Sequence, residues 1–292
     1  MKKTYFPEEF TEKYSKLLGK EWEEYFATIK RKQPKSIWVN TNKTTIEETV
    51  SSIEKQGIKL TPLKFHEQAF MIECERPGSL KEFEEGKISL QEKAAMLPVV
   101  ALNPTKNDCV LDCCSAPGMK TIQLSNLSRR VFATELSSTR FESLHFNKKK
   151  YSLKNVELKR TDFRNVKEKF DKMVLDVPCS SEGLVRKKRD ALKGWSQKLV
   201  ERKAKNQKEM ILKGFDRLEE NGEMAYSTCS FALEENEEVV NFLLSERNAE
   251  VLKIDLKGLK IRKNKLCVGA VRLFPQDNDT QPFFFAKLKK RK

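Results

Sequence analysis

The sequence predicts an α/β fold: a doubly wound, mostly parallel sheet preceded by a small N-terminal α+β module. Two observations carry this prediction. From about residue 89, short apolar strands alternate with helices, which is the pattern of a parallel sheet with helical crossovers. Before that point, residues 36–74 have a compact β-α-β-β pattern of their own. The 292 residues are therefore expected to form two domains, residues 1–88 and residues 89–292.

The N-terminal module contains two predicted helices and three predicted strands. Apolar side chains recur at helical spacing over residues 11–32, which predicts an amphipathic surface helix. Thr44 and Glu47 predict a capping box at the start of the second helix, and Gly57 predicts its end. The predicted strands are residues 36–41, 58–65 and 68–74.

The larger domain shows strands and helices in alternation. Cys109–Cys113 predicts a buried strand that runs into a tight loop, and a helix follows. The other predicted strands are residues 130–134, 156–160, 170–177 and 222–229, with strand-like segments at 265–274 and 282–288. The predicted helices are residues 90–102, 121–127, 138–151 and 233–244, with a long basic loop and helix over 178–219.

The charge of the chain favours a polyanionic partner. It carries 57 Lys and Arg against 42 Asp and Glu, a formal net charge of +15, which favours nucleic acid first and an anionic membrane surface second. No apolar stretch approaches the roughly 20 residues of a membrane span, and the N-terminus has no apolar signal region. We therefore expect no membrane segment and a cytoplasmic location.

Cysteine and histidine usage argues against a metal site. The seven cysteines form no C-x-x-C pair, and only two histidines are present. We therefore expect no zinc site and no other metal. His66 and His145 stand without partners in the sequence, so an enzyme built on this chain would work largely without histidine.

Polar side chains follow several strands, at the edge where open α/β sheets bind their ligands. The loop Cys114–Lys120 bends at a Pro-Gly pair, where the backbone can approach a ligand closely. The full G-x-G-x-x-G pattern is absent, which argues against an NAD site. Glu135, Asp162 and Asp176 end three successive strands. Together these acids fit a ligand with hydroxyl and amino donors and a positive centre.

Two cysteines also follow predicted strand ends. Cys179 lies in Asp176-Val-Pro-Cys-Ser-Ser181, and Cys229 lies in Ser227-Thr-Cys-Ser230. Proline and polar neighbours place both in loops, so we expect both to face the same crevice. The other five cysteines are interpreted as small buried hydrophobic residues.

Several motifs stand in a fixed order along the chain. They are Leu111–Thr121 in the tight loop, Glu135 with Arg140, Asp176–Gly183 around the first cysteine, Tyr226–Ser230 with Glu235–Glu237 around the second, and Arg272–Pro275 with Phe284–Lys287 at the close. In this combination the chain resembles the RNA (cytosine-5) methyltransferases of the Sun/nucleolar-protein class. The resemblance covers about residues 36–290 and implies a Rossmann-like methyltransferase fold. Met119 departs from the pattern, because the family commonly has a second glycine there.

The resemblance implies an S-adenosylmethionine-dependent enzyme that methylates carbon 5 of cytosine through a covalent intermediate. Carbon 5 becomes sufficiently nucleophilic only after a thiolate adds to carbon 6. By resemblance, Cys229 is that thiolate, and Cys179 assists loss of the carbon-5 proton and release of the enzyme. Asp176 then hydrogen-bonds or protonates ring nitrogen 3, and Lys120 supports Asp176 or lowers a thiol pKa electrostatically.

The resemblance also assigns the cofactor contacts. Glu135 would hold the ribose, Asp162 the adenine amino group, and the loop after the first strand the methionine part. The expected cofactor-binding residues are Cys114, Ser115, Ala116, Pro117, Gly118, Met119, Lys120, Glu135, Arg140, Asp162 and Asp176.

A basic stretch follows the first of the two cysteines. Between Arg186 and Lys208, ten Lys and Arg stand against two acids, with Trp195 among them. We interpret the stretch as RNA-facing, with phosphate contacts that make binding salt-dependent. The target base must be flipped out or already unpaired to reach the thiol. The expected substrate is tRNA, with rRNA as the alternative, and the chain is expected to be a monomer.

Three other functions fit the residues less well. A DNA cytosine-5 methyltransferase that uses Cys179 would not need Cys229. A catalytically idle RNA-binding or assembly protein on the same scaffold would not need both cysteines and all three acids. An adenine-N6 methyltransferase is disfavoured because Asp176-Val-Pro-Cys179 lacks the Pro-Pro-aromatic loop that would stack on adenine.

Overall fold

In the computed structural model, which describes residues 5–188 and 190–292, the chain begins with two helices and a four-stranded antiparallel sheet. The elements are α1 (Glu8–Leu18), α2 (Trp22–Lys30), β1 (Ser36–Val39), α3 (Ile46–Glu54), β2 (Leu60–Pro62), β3 (Ala69–Ile72), α4 (Lys81–Glu84) and β4 (Ile88–Leu90). The strand order is β2-β3-β1-β4.

The helix predicted over residues 11–32 is in fact two helices. α1 ends where Gly19 adopts a positive φ of 53°, and a short 3-10 turn leads into α2. Neither helix is a simple surface helix, because Tyr14 and Tyr25 are fully buried in a cluster that includes Trp195 of the larger domain. Helical periodicity is the same on both sides of the break, so the apolar pattern alone did not reveal it.

Two further details of the N-terminal region differ from the prediction. The capping box lies one residue later, since the Thr45 hydroxyl accepts from the Glu48 N–H at 3.1 Å and the Glu48 carboxylate accepts from the Thr45 N–H. The strand β4, which the sequence analysis did not identify, crosses the expected boundary at residues 88/89. The division into two domains at that boundary stays a prediction.

The main sheet has eight strands. Seven of them lie in one continuous order, and the eighth, β11, lies outside this order and pairs with β12. Its elements are α5 (Lys93–Leu102), β5 (Cys109–Asp112), α6 (Met119–Leu127), β6 (Arg130–Thr134), α7 (Ser138–Lys150), β7 (Val156–Lys159), β8 (Phe170–Asp176), α8 (Gln197–Phe215), β9 (Leu218–Thr228), α9 (Glu237–Glu246), β10 (Ala249–Leu252), β11 (Val271–Leu273), α10 (Pro275–Asn278) and β12 (Phe283–Lys290). The order β10-β12-β9-β8-β5-β6-β7 has five parallel strands from β9 to β7, and β12 is antiparallel to β9. The predicted α/β fold with a mostly parallel sheet is confirmed.

The path of the chain through the sheet determines where a ligand can bind. After β5 the chain adds β6 and β7 on one side, and then returns to add β8 and β9 on the other. The carboxyl ends of β5 and β8 therefore border the point where the direction of winding reverses, which is where open α/β sheets form their crevice. Buried side chains of α8 and α9 pack on one face of the sheet, and those of α5 and α6 pack on the other.

Several boundaries in the larger domain were predicted inaccurately. β9 begins at Leu218 rather than at residue 222, and α9 begins at Glu237 rather than at residue 233. β10 was not predicted, and only Val271–Leu273 of the strand-like segment 265–274 is a strand. None of these shifts changes which residues stand at the carboxyl ends of β5, β6 and β8.

Candidate active site

The two cysteines singled out in the sequence lie side by side. Cys179 follows β8 and Cys229 follows β9, and these parallel neighbours pair Asp176 with Ser227 just before the two loops. The Sγ atoms are 3.2 Å apart and share a hydrogen bond, and both side chains are partly buried. The hydrogen bond with Cys229, together with burial, raises the pKa of the Cys179 thiol well above its usual value.

A buried carboxylate on the second cysteine loop binds the first. Glu235 accepts hydrogen bonds from the N–H of Ser180 at 3.0 Å, from the Ser180 hydroxyl and from Gln207 Nε2 at 2.7 Å. Burial raises the pKa of Glu235, and the hydrogen bonds from Ser180 and Gln207 oppose this shift. The residue after Cys179 is thereby tied to the segment that follows Cys229.

A second buried carboxylate makes the reverse connection. Glu182, in the short 3-10 helix Glu182–Arg186, accepts from the Phe231 N–H at 2.5 Å and from the Ser230 hydroxyl at 3.2 Å. Its other oxygen accepts from Trp195 Nε1 at 2.7 Å and from the Tyr14 hydroxyl. Each cysteine loop therefore contributes one glutamate that binds the backbone of the other loop.

Gly183 brings the backbone of the first loop into contact with Cys229. Its N–H donates to the Cys229 carbonyl at 2.7 Å. A Cβ at this position would lie 2.8 Å from that oxygen and 3.1 Å from the Cys229 Cβ. Glycine is required here because backbone and side-chain atoms of Cys229 occupy the space of any larger residue.

Asp176 stands at the mouth of the same crevice. Its carboxylate accepts from Lys120 Nζ at 2.7 Å and from the Ser227 hydroxyl at 2.7 Å, and about a third of the side chain remains exposed. Lys120 lies in the first turn of α6, so the contact joins the loop after β5 to the end of β8. Lys120 and Asp176 thus form a direct ion pair, and the catalytic roles expected of them stay predictions.

Side chains of α7 donate hydrogen bonds to backbone carbonyls of the loop after β5. Arg140 Nη2 donates to the Ala116 carbonyl at 2.5 Å, and Asn147 Nδ2 donates to the Pro117 carbonyl at 2.8 Å. Gly118 has a φ of 110° at the start of α6, and a Cβ there would lie 3.0 Å from Leu144. Arg140 thus fixes the shape of the loop.

The side chains of this loop point mostly inward. The Ser115 hydroxyl donates to the backbone carbonyls of Asp112 and Thr134, and Met119 packs against an apolar cluster under α6. Burial raises the pKa of the Cys114 thiol, which disfavours its thiolate form. A ligand in this loop would therefore meet backbone atoms rather than these side chains.

Two of the strand-end acids, Glu135 and Asp162, differ in how many of their carboxylate oxygens accept hydrogen bonds. Glu135 is buried, and its Oε1 accepts from the Ser137 N–H at 3.0 Å, whereas Oε2 has no hydrogen-bond partner among the described residues. Arg140 Nη1 lies 3.2 Å from that oxygen without the geometry of a hydrogen bond. Asp162 is bound by Arg164 through Nε at 3.0 Å and Nη2 at 2.6 Å. Burial would raise the pKa of Asp162, but the hydrogen bonds from Arg164 outweigh it and lower the pKa.

A fourth acid in the crevice was not identified from the sequence. Asp112 ends β5, is buried, and accepts from the Thr121 hydroxyl at 2.7 Å. Burial raises its pKa to about 6, and the nearby charges of Asp176 and Glu135 act in the same direction. Its position at the end of the first strand of the sheet was the available signal. Glu135, Asp162 and Asp176 each lie beside a cation, Arg140, Arg164 and Lys120 respectively, whereas Asp112 forms no ion pair among the described residues.

Comparison with known proteins agrees with this geometry. A family profile described as 16S rRNA methyltransferase RsmB/F matches residues 99–289, and one described as the N-terminal domain of 16S rRNA methyltransferase RsmF matches residues 6–93. The chain belongs to the RsmB/F methyltransferase family. The resemblance stated from the motifs is confirmed.

Curated relatives of this RsmB/F family chain extend beyond it. It is 35% identical to the ribosomal RNA small subunit methyltransferase F of Psychromonas ingrahamii, over 99% of this chain and 64% of the relative. The proteins of the same name from Vibrio parahaemolyticus and Escherichia coli are also 35% identical, over 98% of this chain and 63% and 64% of their own lengths. The chain therefore spans just under two thirds of these relatives.

Solved structures of similar fold confirm the Rossmann-like methyltransferase architecture. A methyltransferase homologue from Pyrococcus horikoshii superposes with a TM-score of 0.84 and 28% identity, over 98% of this chain and 95% of that one. NSun6 from the same organism, solved with SFG, gives a TM-score of 0.88 at 22% identity and covers 99% of both chains.

The residues of the crevice fit the cofactor of the RsmB/F family, S-adenosylmethionine. Glu135 Oε2 is a buried acceptor without a hydrogen-bond partner among the described residues, as a ribose hydroxyl requires. The loop beside it presents backbone atoms, and the Asp176 carboxylate, about a third exposed, stands at the mouth of the crevice. Asp162 would have to bind the adenine amino group with a lone pair that Arg164 leaves free.

The basic stretch is only partly available to RNA. The Arg186 side chain is buried and donates to the Thr280 carbonyl at 2.7 Å and to Asp279 at 2.6 Å, so this member of the stretch is a structural residue. The RNA-facing role of the stretch as a whole stays a prediction. Trp195 is also buried, and Arg189 lies outside the described residues. Within the basic stretch, the exposed cations that lie on α8 are Lys198, Arg202 and Lys205.

Two kinds of feature are not found in the described part of the chain. None of its helices combines the length and apolarity needed to cross a membrane. No group of three or more His, Cys, Asp or Glu side chains converges there in a way that would hold a metal ion.

Sequence reasoning missed the residues that position the cysteines. Glu182, Gly183 and Glu235 all lie inside the motifs quoted above, but their contacts join segments about 50 residues apart. Their presence next to each cysteine was the only signal, and nothing in the local pattern indicates which backbone group each one binds.

Proposed function

We propose that this chain methylates carbon 5 of a cytosine in 16S ribosomal RNA, with S-adenosylmethionine as the methyl donor. The observation that carries the proposal is the pair of thiols, 3.2 Å apart at adjacent strand ends and next to the Lys120–Asp176 ion pair. The names of the curated relatives support ribosomal RNA. They give no support to tRNA, the substrate first expected from the sequence. The cytoplasmic location and the monomeric state stay predictions.

In the proposed reaction Cys229 is the nucleophile. Its thiolate forms a bond to carbon 6, and the electron pair of the 5,6 double bond shifts between carbons 5 and 4. Nitrogen 3 takes up a proton through Asp176 and gives it up again when the product forms. S-adenosylmethionine, when bound, would supply the methyl group as a sulfonium, with S-adenosylhomocysteine as the leaving group once the methyl–sulfur bond is broken. Carbon 5 then carries both the methyl group and its proton. Loss of that proton restores the double bond and expels Cys229 as a thiolate.

Cys179 is proposed to act after the covalent bond has formed. In the free protein the hydrogen bond with Cys229 raises the pKa of Cys179 and keeps it a thiol. Once Cys229 is a thioether, its sulfur has neither an S–H nor a thiolate charge. The hydrogen bond with Cys229, which is the largest cause of the raised pKa of Cys179, is then lost. Cys179 is then better able to assist removal of the carbon-5 proton, directly or through a water molecule.

Bisulfite sequencing of 16S ribosomal RNA tests the proposed function. RNA from cells with and without the full chain is compared, and purified 16S ribosomal RNA is treated with the protein and S-adenosylmethionine. The proposal expects protection of a defined cytosine only when the active protein is present, and none with Cys229→Ala. Identical cytosine patterns in all samples would overturn it, and protection confined to tRNA would restore the first expectation.

A further inference from the structure

A cavity of about 310 Å³ lies between the N-terminal sheet and the loop that follows Cys179. Its walls come from the segment Lys32–Ser36, from Pro77 and Leu90 of the N-terminal region, and from Arg186 and Lys187 beyond the cysteine loop. It lies at the lower end of the roughly 300–1,000 Å³ typical of small-ligand sites, which suits one nucleotide and not a duplex.

The side chains around the cavity combine apolar surface with unsatisfied amide groups. Pro34, Pro77 and Leu90 supply apolar walls against which a base can lie. Gln91 Nε2 donates to the Ala95 carbonyl and to Gln123 Oε1, both at 3.0 Å. The other amide atom of Gln91, Oε1, is buried and has no hydrogen-bond partner among the described residues. Gln33 Nε2 is likewise buried and without a partner there. An amide acceptor and an amide donor are the groups that pair with base edges.

The charge around the cavity is complementary to a phosphate backbone. Lys32 and Lys187 are exposed and make no ion pair among the described residues. Lys35 adds a third cation, although it also donates to the Cys74 carbonyl. Arg186 is occupied by Asp279 and the Thr280 carbonyl. The lining carboxyl group is Glu92, which accepts from the N–H groups of Ala94 and Ala95.

Two walls of the cavity are linked through the chain to the residues around the cysteine pair. The wall at Arg186 and Lys187 continues from Gly183, whose N–H binds the Cys229 carbonyl. On the opposite wall, Gln91 binds Gln123, which lies one turn after Lys120 on α6.

We propose that this cavity holds the unstacked base of a second nucleotide of the substrate RNA, close in space to the target cytosine. Gln33 and Gln91 bind the edge of that base, and Lys32 and Lys187 bind the adjoining phosphates. The site rests on the proposed function, since it names a further contact of the same substrate. It would fix the register of the RNA on the enzyme through a base that is not itself methylated.

The test uses the full chain and a short fluorescent oligouridine with one central cytosine. Its affinity is measured by anisotropy over a range of salt concentrations, for the wild type and for Lys32→Ala/Lys187→Ala. A matched control, Lys55→Ala/Lys167→Ala, removes two exposed lysines that make no ion pair among the described residues. The cavity variant is expected to bind about tenfold more weakly and to flatten the log–log salt slope by about 1.4, while the control stays within about twofold of the wild type.

Photocrosslinking locates the base directly. Replacing the uridines by 4-thiouridine and irradiating the complex should crosslink peptides that contain Gln33 or Leu90. Methyl transfer to 16S ribosomal RNA is measured in parallel. If the protein methylates RNA but crosslinks lie elsewhere and the cavity variant binds like the wild type, the cavity proposal is overturned and the proposed function stands. If binding depends on the cavity but no methyl transfer occurs, the proposed function fails and the cavity is retained only as a site for an RNA base; absence of any RNA binding overturns both.

Discussion

The carboxylate of Glu235 binds the backbone N–H of Ser180, so the loop that carries Cys229 holds the loop that carries Cys179. Glu182 makes the reverse contact, to the N–H of Phe231. The two sulfur atoms meet at 3.2 Å because these loops are tied to each other and not only to the ends of their own strands. The alignment of the two thiols therefore depends on buried carboxylates that do not touch either sulfur.

Substituting Glu235 by glutamine tests this dependence. The amide nitrogen cannot accept from Ser180, so we expect kcat to fall about 10- to 100-fold through misalignment and the free energy of unfolding to fall by about 1–3 kcal/mol. Affinity for S-adenosylmethionine should not change, since Glu235 contacts neither the loop after β5 nor Glu135. The control is Glu238→Gln, an exposed residue of α9. Unchanged kcat in Glu235→Gln would show that the contact is not needed for alignment.

Glu135→Ala should weaken cofactor binding and spare RNA binding. The buried Oε2 lacks a hydrogen bond among the described residues and can accept one from a ribose, and loss of a charged hydrogen bond of this kind costs roughly 10- to 100-fold in affinity. Isothermal titration calorimetry with S-adenosylmethionine measures the effect. Glu142→Ala, an exposed change on the same helix as Arg140, is the control. Equal cofactor affinity in all three proteins would remove Glu135 from the site.

The stability of the protein should depend on pH through Glu92. Burial raises the pKa of Glu92 to about 7 from an ordinary value near 4.5, so its protonated form stabilises the fold below pH 4.5 and this contribution is lost as the pH rises through 7. Glu92→Gln imitates the protonated state. We expect the variant to be more stable than the wild type by about 1–3 kcal/mol at pH 8, with a smaller difference at pH 5. Urea denaturation at the two pH values checks this, and a difference that does not vary with pH would contradict it.

RNA affinity should depend on the exposed face of α8. Replacing Lys198, Arg202 and Lys205 by alanine removes three cations from the surface that follows the Cys179 loop. We expect weaker RNA binding and a flatter salt dependence, as for the loss of phosphate contacts. Circular dichroism verifies that the helix is intact. A salt slope equal to that of the wild type would place the RNA path elsewhere.

The sequence predicted which residues lie at the carboxyl ends of the parallel strands. It did not predict the contacts between loops that complete the site. Alternating strands and helices put Glu135, Asp176, Cys179 and Cys229 after strand ends, and parallel strands necessarily bring such ends together. Distances such as the one between the two sulfur atoms depend on how each loop folds back. That folding is determined by long-range contacts such as Glu235 with Ser180, which leave no periodic signal.

The N-terminal helices show the same limit. Their apolar periodicity predicted one surface helix, whereas Tyr14 and Tyr25 pack under the loop that contains Glu182. The periodicity correctly indicated that Tyr14, Tyr25 and Ile29 are buried, but it also included Leu17, which is exposed. It carried no information on the partner surface, which is supplied by residues about 170 positions later.

Trapping of the protein on RNA tests the central claim most directly. Cys179→Ala, Cys229→Ala and the wild type are incubated with 16S ribosomal RNA and S-adenosylmethionine, and denaturing gels measure the covalent complex. If Cys229 attacks carbon 6 and Cys179 assists release, Cys179→Ala accumulates a complex that survives denaturation, whereas Cys229→Ala forms neither complex nor methylated RNA. Near-normal methyl transfer by Cys229→Ala, or a stable complex formed by it, would contradict the assignment of the two thiols.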